Sequence, residues 1–254
     1  MPTPWPYPSW IAHRGAGKHA PENTLAAFRE GFASGFRMFE CDVKLSSDRV
    51  PFLLHDSSLE RTTSGVGTAG EQAWSALSQL DAGAWHGAGF AGEPMPTLAA
   101  IARFVIANGC AVNLEIKPTP GVETLTGELV AQAAEALWAG SAPPPLLSSF
   151  DVAALRAAAS AAPSLPRALL LDELWDGWFE TAHELACVAV VTNFRLMDAA
   201  LAARLHAAGL RALVYTPNAP ADVAAMRAAG VDGVITDEVR RFSAEAQAGR
   251  ASAA

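Results

Sequence analysis

The chain predicts an α/β protein, a TIM-type (β/α)8 barrel with a small insertion after the third strand. Three observations carry this. Short apolar, strand-like runs alternate with longer alanine-rich segments of helical spacing, a pattern that implies parallel strands joined by right-handed crossovers. No Gly-x-Gly-x-x-Gly follows the first run, so an open dinucleotide-binding sheet loses its main support. Polar residues end many different strands (His13, Asp42, His55, Lys117, Asn193 and Thr216), as functional groups do around the rim of a barrel. A length of 254 residues admits one barrel as a single domain, 1–254.

The strands are expected at Trp10–His13, Met38–Lys44, Val50–His55, Ala111–Lys117, Leu146–Phe150, Ala168–Leu171, Val188–Asn193, Ala212–Thr216 and Gly233–Thr236. That is nine where a barrel needs eight, so one of them is an extra strand, a hairpin arm or not a strand at all. Between strands, Thr24–Ala33 places Leu25, Phe28 and Phe32 on one stripe, after a cap-capable Asn23 and before Gly35. Glu123–Trp138, Val152–Ala161, Met197–Ala208 and Ala221–Ala229 have similar spacing, and Gly209 and Gly230 stand where helix C-caps belong. Residues 57–96 break the alternation and are too long for an ordinary loop. They are expected to form a small insertion at the mouth of the barrel, covering the site; a structural elaboration and a surface for a second subunit are the other accounts of it. Residues 243–254, alanine-rich and polar, are expected to fray.

Composition narrows the partners. Half of the residues are hydrophobic, enough for a substantial core. A net charge of −8 argues against nucleic acid and against stable association with anionic membranes. The three lysines, Lys18, Lys44 and Lys117, all fall in or beside the motifs below, as if gathered near an anion. Cys41, Cys110 and Cys187 form neither a zinc pattern nor a disulfide framework. The segment Met1–Trp10 lacks a basic start and an apolar run, so no export signal is read there, and a cytoplasmic setting is expected.

The chemistry concentrates between Ile11 and Asp56. Side chains alternate along a strand, so Glu40, Asp42 and Lys44 share one face while Cys41 takes the other. Glu115 and Lys117 likewise share a face, opposite Leu114 and Ile116. Charge on a barrel's inner face needs a metal or an ion partner. Glu40, Asp42 and Glu115 offer three hard oxygen donors, a set suited to Mg²⁺ or Ca²⁺; buried salt bridges are the other account of them. Arg14 can engage two phosphate oxygens, with Gly15 letting the backbone approach. His13 and His55 each end an apolar run and can move protons. Together these are the means for a metal-assisted attack on a phosphate ester.

The motifs His13-Arg14-Gly15, Pro21-Glu22-Asn23-Thr24, Glu40-x-Asp42, His55-Asp56 and Leu114-Glu115-Ile116-Lys117 resemble those of the glycerophosphodiester phosphodiesterase family. So do Arg61-Thr62-Thr63, Leu80-Asp81-Ala82-Gly83, Pro96-Thr97-Leu98, Ser149-Phe150 and Gly233-Val234-Ile235-Thr236-Asp237. The resemblance spans roughly residues 10 to 240; each motif is weak alone, and their order and spacing are specific. It implies a TIM-type barrel hydrolysing small glycerophosphodiesters to glycerol 3-phosphate and an alcohol. It implies metal ligands at Glu40, Asp42 and Glu115, acid–base histidines at His13 and His55, and phosphate contacts from Arg14 and Lys117. One departure is Tyr215-Thr216-Pro217-Asn218, where the family often carries Trp-Thr-Val-Asn; Tyr215 keeps an aromatic wall for the substrate and adds a hydroxyl.

Two other readings of the residues stand beside this one. A lysophospholipase D or sphingomyelinase D-like enzyme on the same barrel would need apolar surface for acyl chains, which Trp74, Trp85 and Phe90 could supply. A non-catalytic glycerophosphodiester-binding protein would not need both histidines and all three carboxylates. An amidohydrolase-type barrel is disfavoured, because position 11 is isoleucine where His-x-His would begin.

Overall fold

Among the described residues nine strands are present: β1 (Trp10–Ala12), β2 (Met38–Leu45), β3 (Pro51–Leu53), β4 (Ala111–Ile116), β5 (Leu146–Ser149), β6 (Arg167–Leu171), β7 (Ala189–Asn193), β8 (Arg211–Tyr215) and β9 (Gly233–Thr236). The structure, a computed structural model, describes residues 5–251. All strands except β3 run parallel and close into a ring, because β1 pairs with β9 on one side (Ile11 opposite Ile235) and with β2 on the other (Ala12 opposite Phe39). This is the predicted TIM barrel.

The extra strand is β3. It lies antiparallel on the C-terminal end of β2, with Lys44 opposite Phe52, where the three-residue β1 no longer reaches. The connection explains the direction. Only Ser46–Val50 separate the two strands, far too few for a parallel crossover, which takes a dozen or more residues. The turn is tied by the Ser46 N–H donating to the Val50 carbonyl at 3.1 Å, with Arg49 in the left-handed region at φ 67°.

The α-helices of the described residues are α1 (Leu25–Ala33), α2 (Trp74–Leu77), α3 (Leu98–Ala107), α4 (Glu123–Leu137), α5 (Val152–Ala161), α6 (Trp178–Glu184), α7 (Ala199–Ala207), α8 (Pro220–Ala229) and α9 (Ser243–Ala251). The period-two pattern divides the core into two layers. Ile11, Met38, Leu146, Val191, Leu213 and Ile235 face inward and fill the lower barrel with Tyr7. Residues of opposite parity, such as Cys41, Val43, Leu114, Leu169 and Val214, pack outward against the helices. All three cysteines are buried, and none forms a disulfide. Among the described residues, no helix is long and apolar enough to cross a membrane.

Two features position the upper end of the barrel. Thr24 caps α1 by accepting from the Ala27 N–H, and Phe28 of that helix packs on Phe39 of β2 with ring centroids 4.9 Å apart. Burial of such a ring contributes roughly 1.5–3 kcal/mol, so the β1–α1 loop is pinned at both ends. Gly17 in that loop has φ +55°, and a Cβ there would overlap the backbone of Asp237. The loops after β1 and after β9 are therefore in backbone contact.

The 57–96 segment builds its own small core around Phe52, Leu54, Leu59, Leu77 and Met95. It leans on the β1–α1 side of the barrel, where Glu93 Oε1 accepts from the Ala26 N–H at 2.9 Å and His86 Nε2 meets the Lys18 carbonyl at 3.1 Å. At the C-terminal end, Ser243–Ala251 is helical where fraying was expected. Phe242 stacks on Trp10 at 4.9 Å and Ala246 is buried in the outer layer, so the segment has a face to dock. Residues 252–254 of the expected frayed tail, and 1–4 of the proline-rich start, lie outside the described residues.

Candidate active site

The C-terminal ends of the strands surround a cavity of about 260 Å³. Its lining includes His13, Arg14, Glu40, His55, Asn113, Glu115, Lys117, Phe150 and Tyr215. Strand parity puts them there. Glu40 and Asp42 continue the inward face of Met38 on β2, Asn113 and Glu115 that of Ala111 on β4, and His13 that of Ile11 on β1. His55 comes from just beyond β3. The antiparallel excursion thus brings a second histidine to a ring that the eight barrel strands would not have supplied.

Glu40, Asp42 and Glu115 are all buried, and one ligand atom from each lies within 4.8 Å of the others. Their protonation shows the strain of that arrangement. Burial, followed by the Asp42 charge, pushes both Glu40 and Glu115 well above the usual carboxylate range. For Asp42, burial is outweighed by Arg14, Lys117 and His55 and by the Asn23 hydrogen bond, so it is held low. Glu40 Oε1 is buried without a hydrogen-bond partner. Three close carboxylates with one lone buried oxygen fit a hard divalent cation better than they fit a set of salt bridges. Lys117 answers part of this charge, its Nζ lying 2.7 Å from Glu115 Oε1 and 3.7 Å from Asp42 Oδ1.

Arg14 follows β1 at φ 49°, and Asn23 precedes the cap of α1 at φ 59°. Left-handed backbone is costly for residues with a Cβ and persists where surrounding contacts over-determine it. Here the Arg14 N–H donates to Glu40 Oε2 at 3.0 Å, Nη1 donates to Glu22 Oε1 at 2.7 Å, and Nε stands 3.5 Å from Asp42 Oδ2. Asn23 is not the helix cap that its sequence position suggested. Its amide instead grips Asp42 twice, Nδ2 donating to Oδ2 at 2.8 Å and Oδ1 accepting from the Asp42 N–H at 3.1 Å.

Each histidine has a carboxylate behind it. His13 Nδ1 is 2.6 Å from Asp237 Oδ1, and its Nε2 is 3.8 Å from Glu40. Burial disfavours the His13 cation, but the Asp237 hydrogen bond and the Glu40 charge outweigh it and raise its pKa. His55 Nδ1 is 2.7 Å from Asp56 Oδ1, yet burial dominates and its pKa is lowered. In both rings the hydrogen-bonded nitrogen is Nδ1, so Nε2 is the nitrogen available for proton transfer.

Several of these supports were not singled out by sequence reasoning. Asp237 stood inside a quoted motif without a role, although its parity with Ile235 at the end of the last strand was a usable signal. Asn218 reinforces it, with Nδ2 donating to Asp237 Oδ2 at 2.8 Å and Oδ1 accepting from the Asp237 N–H at 2.9 Å. Glu22, Asp56 and Arg61 form a charged group beside the cavity (below). The expectation for the lysines needs correction. Lys18 pairs with Glu238 and is not among the lining residues, and Lys44 is buried toward the C-terminal end of β2, with Nζ donating to the Lys117 carbonyl at 3.0 Å. None of the residues lining the cavity comes from 57–96.

The ion pairs carry a pH dependence. The Arg61 hydrogen bond is the main cause holding Asp56 below the usual carboxylate range. Burial of Glu22 is likewise outweighed by Arg61 and Arg14. Carboxyls lowered in the folded state stabilise it fully above their unfolded pKa, about 4, and lose that contribution as pH falls through the native values. The melting temperature should therefore fall as pH drops below about 4, and Asp56→Asn should make that acid limb shallower. An unchanged limb in the variant would remove Asp56 from this account.

The arrangement defines a class: a (β/α)8-barrel enzyme whose rim combines a metal-capable carboxylate triad, an arginine and two carboxylate-backed histidines. Residues 13–241 match the model of the glycerophosphoryl diester phosphodiesterase family. The glycerophosphodiester phosphodiesterase of Caldanaerobacter subterraneus is 32% identical over 233 residues, covering 90% of this chain and 93% of that protein. An Oleispira antarctica phosphodiesterase, solved in complex with the product sn-glycerol-3-phosphate, is 32% identical with a TM-score of 0.86, covering 94% of this chain and 96% of that one. The Agrobacterium tumefaciens glycerophosphodiester phosphodiesterase superposes with a TM-score of 0.78 at 25% identity, over 93% of this chain and 99% of that one. The chain belongs to the glycerophosphoryl diester phosphodiesterase family, a family of phosphoric diester hydrolases.

Proposed function

We propose that the protein hydrolyses small glycerophosphodiesters to glycerol 3-phosphate and an alcohol. The observation that carries this is the convergence of Arg14, Lys117, His13, His55, Glu40 and Glu115 on one cavity of about 260 Å³, with Asp42 clustered against the two glutamates. The product bound by the Oleispira relative supports the same substrate class.

Glu40, Asp42 and Glu115 would hold Mg²⁺ or Ca²⁺, which when bound neutralises phosphate charge and stabilises charge building on its oxygens. Arg14 and Lys117 bind the phosphate from the β1 and β4 sides, already oriented by Glu22 and Glu115. The two histidines transfer the protons, one taking it from the attacking oxygen and the other giving it to the leaving alcohol. Asp237 and Asp56 fix their rings and tautomers through Nδ1, as carboxylates behind catalytic imidazoles do. Tyr215 meets Phe150 edge-on at 5.7 Å, and its hydroxyl donates to the Leu171 carbonyl at 3.2 Å. That pair offers the substrate a fixed aromatic wall.

The lipid-directed reading lacks support at the cavity. Trp74 packs on Phe52 in the insertion core at 5.9 Å, Trp85 Nε1 donates to the Ala82 carbonyl, and neither lines the site. A reducing, cytoplasmic setting agrees with three buried cysteines outside any disulfide, and the charge of −8 with a small-molecule partner in preference to nucleic acid.

The test is release of glycerol 3-phosphate from a panel of glycerophosphodiesters with Mg²⁺, with Ca²⁺ and with chelator. Metal-dependent release is expected, and the panel ranks the alcohol groups. Absence of release from every member by a folded protein would overturn the proposal.

A further inference from the structure

Five side chains from two loops form one continuous chain of charge: Arg14, Glu22, Arg61, Asp56 and His55. At its centre, the Arg61 guanidinium makes four hydrogen bonds to two carboxylates. Nη1 and Nη2 donate to the two oxygens of Glu22, each at 2.8 Å. Nε and Nη2 donate to Asp56 Oδ2 and Oδ1, at 2.6 and 3.0 Å. Nη2 is thus shared between Glu22 Oε1 and Asp56 Oδ1. Those same two oxygens hold the working residues: Glu22 Oε1 accepts from Arg14 Nη1 at 2.7 Å, and Asp56 Oδ1 meets His55 Nδ1 at 2.7 Å.

We infer that Arg61 is a positioning residue that sets the phosphate-binding Arg14 and the proton-transferring His55 in register with each other. The inference rests on the roles given to Arg14 and His55 above. Arg14 belongs to the β1–α1 loop and His55 to the segment beyond β3. Among the described residues, the Arg61 guanidinium is the group that hydrogen-bonds to both carboxylates behind them. A planar five-donor fork can satisfy two carboxylates at once, whereas an ammonium cannot reproduce that geometry.

The consequences for Arg14 and His55 differ. Without Arg61, Glu22 has only Arg14 to neutralise it and competes with the substrate phosphate for that guanidinium. Asp56 loses two of the contacts that hold it and no longer fixes the His55 ring. Loss at Arg14 weakens binding and raises KM; loss at His55 slows proton transfer and lowers kcat. A plain tether between insertion and barrel would change stability alone, and only slightly, since the Arg61 side chain is 44% exposed and exposed ion pairs contribute little to stability.

The experiment measures kcat, KM and melting temperature for wild type, Arg61→Gln and Arg61→Lys on a hydrolysed glycerophosphodiester. Arg61→Gln is expected to lower kcat and raise KM, for a combined loss in kcat/KM of about 10–100-fold, as for other groups that orient site residues from behind. Arg61→Lys should recover part of it and stay at least about fivefold below wild type, because it keeps the charge without the fork. In an Asp56→Asn background, Arg61→Gln should cost little further kcat, since groups acting through one another are not additive. A folded Arg61→Gln with kcat and KM within about twofold of wild type, whatever its melting temperature, overturns the inference. If that variant does not fold, Arg61→Lys decides by the same criterion. A wild-type protein that turns over no glycerophosphodiester would instead defeat the functional proposal, and this inference with it, before any variant is compared.

Discussion

Replacing His13 or His55 by alanine is expected to lower kcat by about 10²–10⁴-fold, the usual contribution of a positioned acid or base, without unfolding the protein. The fold should survive because neither ring belongs to the apolar clusters: each side chain stands partly exposed at the cavity, 19% for His13 and 29% for His55. Removing His13 leaves Asp237 with both Asn218 contacts and Glu40 with the Arg14 N–H. Neither carboxylate is therefore stranded without a donor. Removing His55 leaves Asp56 paired with Arg61.

The two roles can be separated chemically. A diester with a nitrophenyl leaving group needs little protonation as it departs, so the variant lacking the acid should regain much of its turnover on it, while the variant lacking the base should not. A folded variant with near-normal kcat on the natural diester would take that histidine out of the mechanism.

The barrel was legible because its signals are local. In Met38–Leu45 the alternation Glu40, Asp42, Lys44 against Cys41, Val43, Leu45 identifies an inner and an outer face without any knowledge of what lies across the ring. The same parity placed Glu115 and Lys117 correctly. The identity of the ninth strand was also within reach: five residues between Leu45 and Pro51 exclude a parallel crossover, which leaves a hairpin arm. What local pattern could not supply were the pairings that make the site work. Asp237 meets His13 across 224 positions of sequence, and only ring closure by β9 against β1 brings them together. Arg61 reaches Glu22 across 39 positions through an insertion whose docking side no periodicity encodes. Asn23 looked like a helix cap because asparagine often is one; Thr24 takes that place, and a left-handed backbone turns Asn23 toward Asp42.

Glu40→Gln should abolish metal-dependent hydrolysis and yet leave the metal-free protein at least as stable as wild type. The first half follows from the donor set. Removing one of three anionic ligands from a hard-cation site, and with it the stabilisation of charge on the phosphate oxygens, should cost at least about 10³ in rate, or ~4 kcal/mol. The second half follows from the sign of the shifts. Glu40 and Glu115 are held above the usual carboxylate range by burial and by Asp42. The folded metal-free protein therefore binds protons near neutrality that the unfolded chain has released. Its stability must fall as pH rises from the ordinary carboxylate range through those raised values. A neutral glutamine can still accept from the Arg14 N–H and carries no charge to desolvate, so the melting temperature of metal-free Glu40→Gln should decline less steeply toward pH 8 and exceed that of wild type there. Added Mg²⁺ or Ca²⁺ should reverse the order, raising the wild-type melting temperature and displacing protons on binding. The proton release is measurable by calorimetry in two buffers of different ionisation enthalpy. Retained metal stabilisation and near-normal turnover in Glu40→Gln would place the cation elsewhere. A wild-type and variant pair with the same pH slope would mean that the three carboxylates do not repel one another as their spacing requires. Buried like charge of this kind is costly in the metal-free protein, and a bound divalent cation would offset that cost.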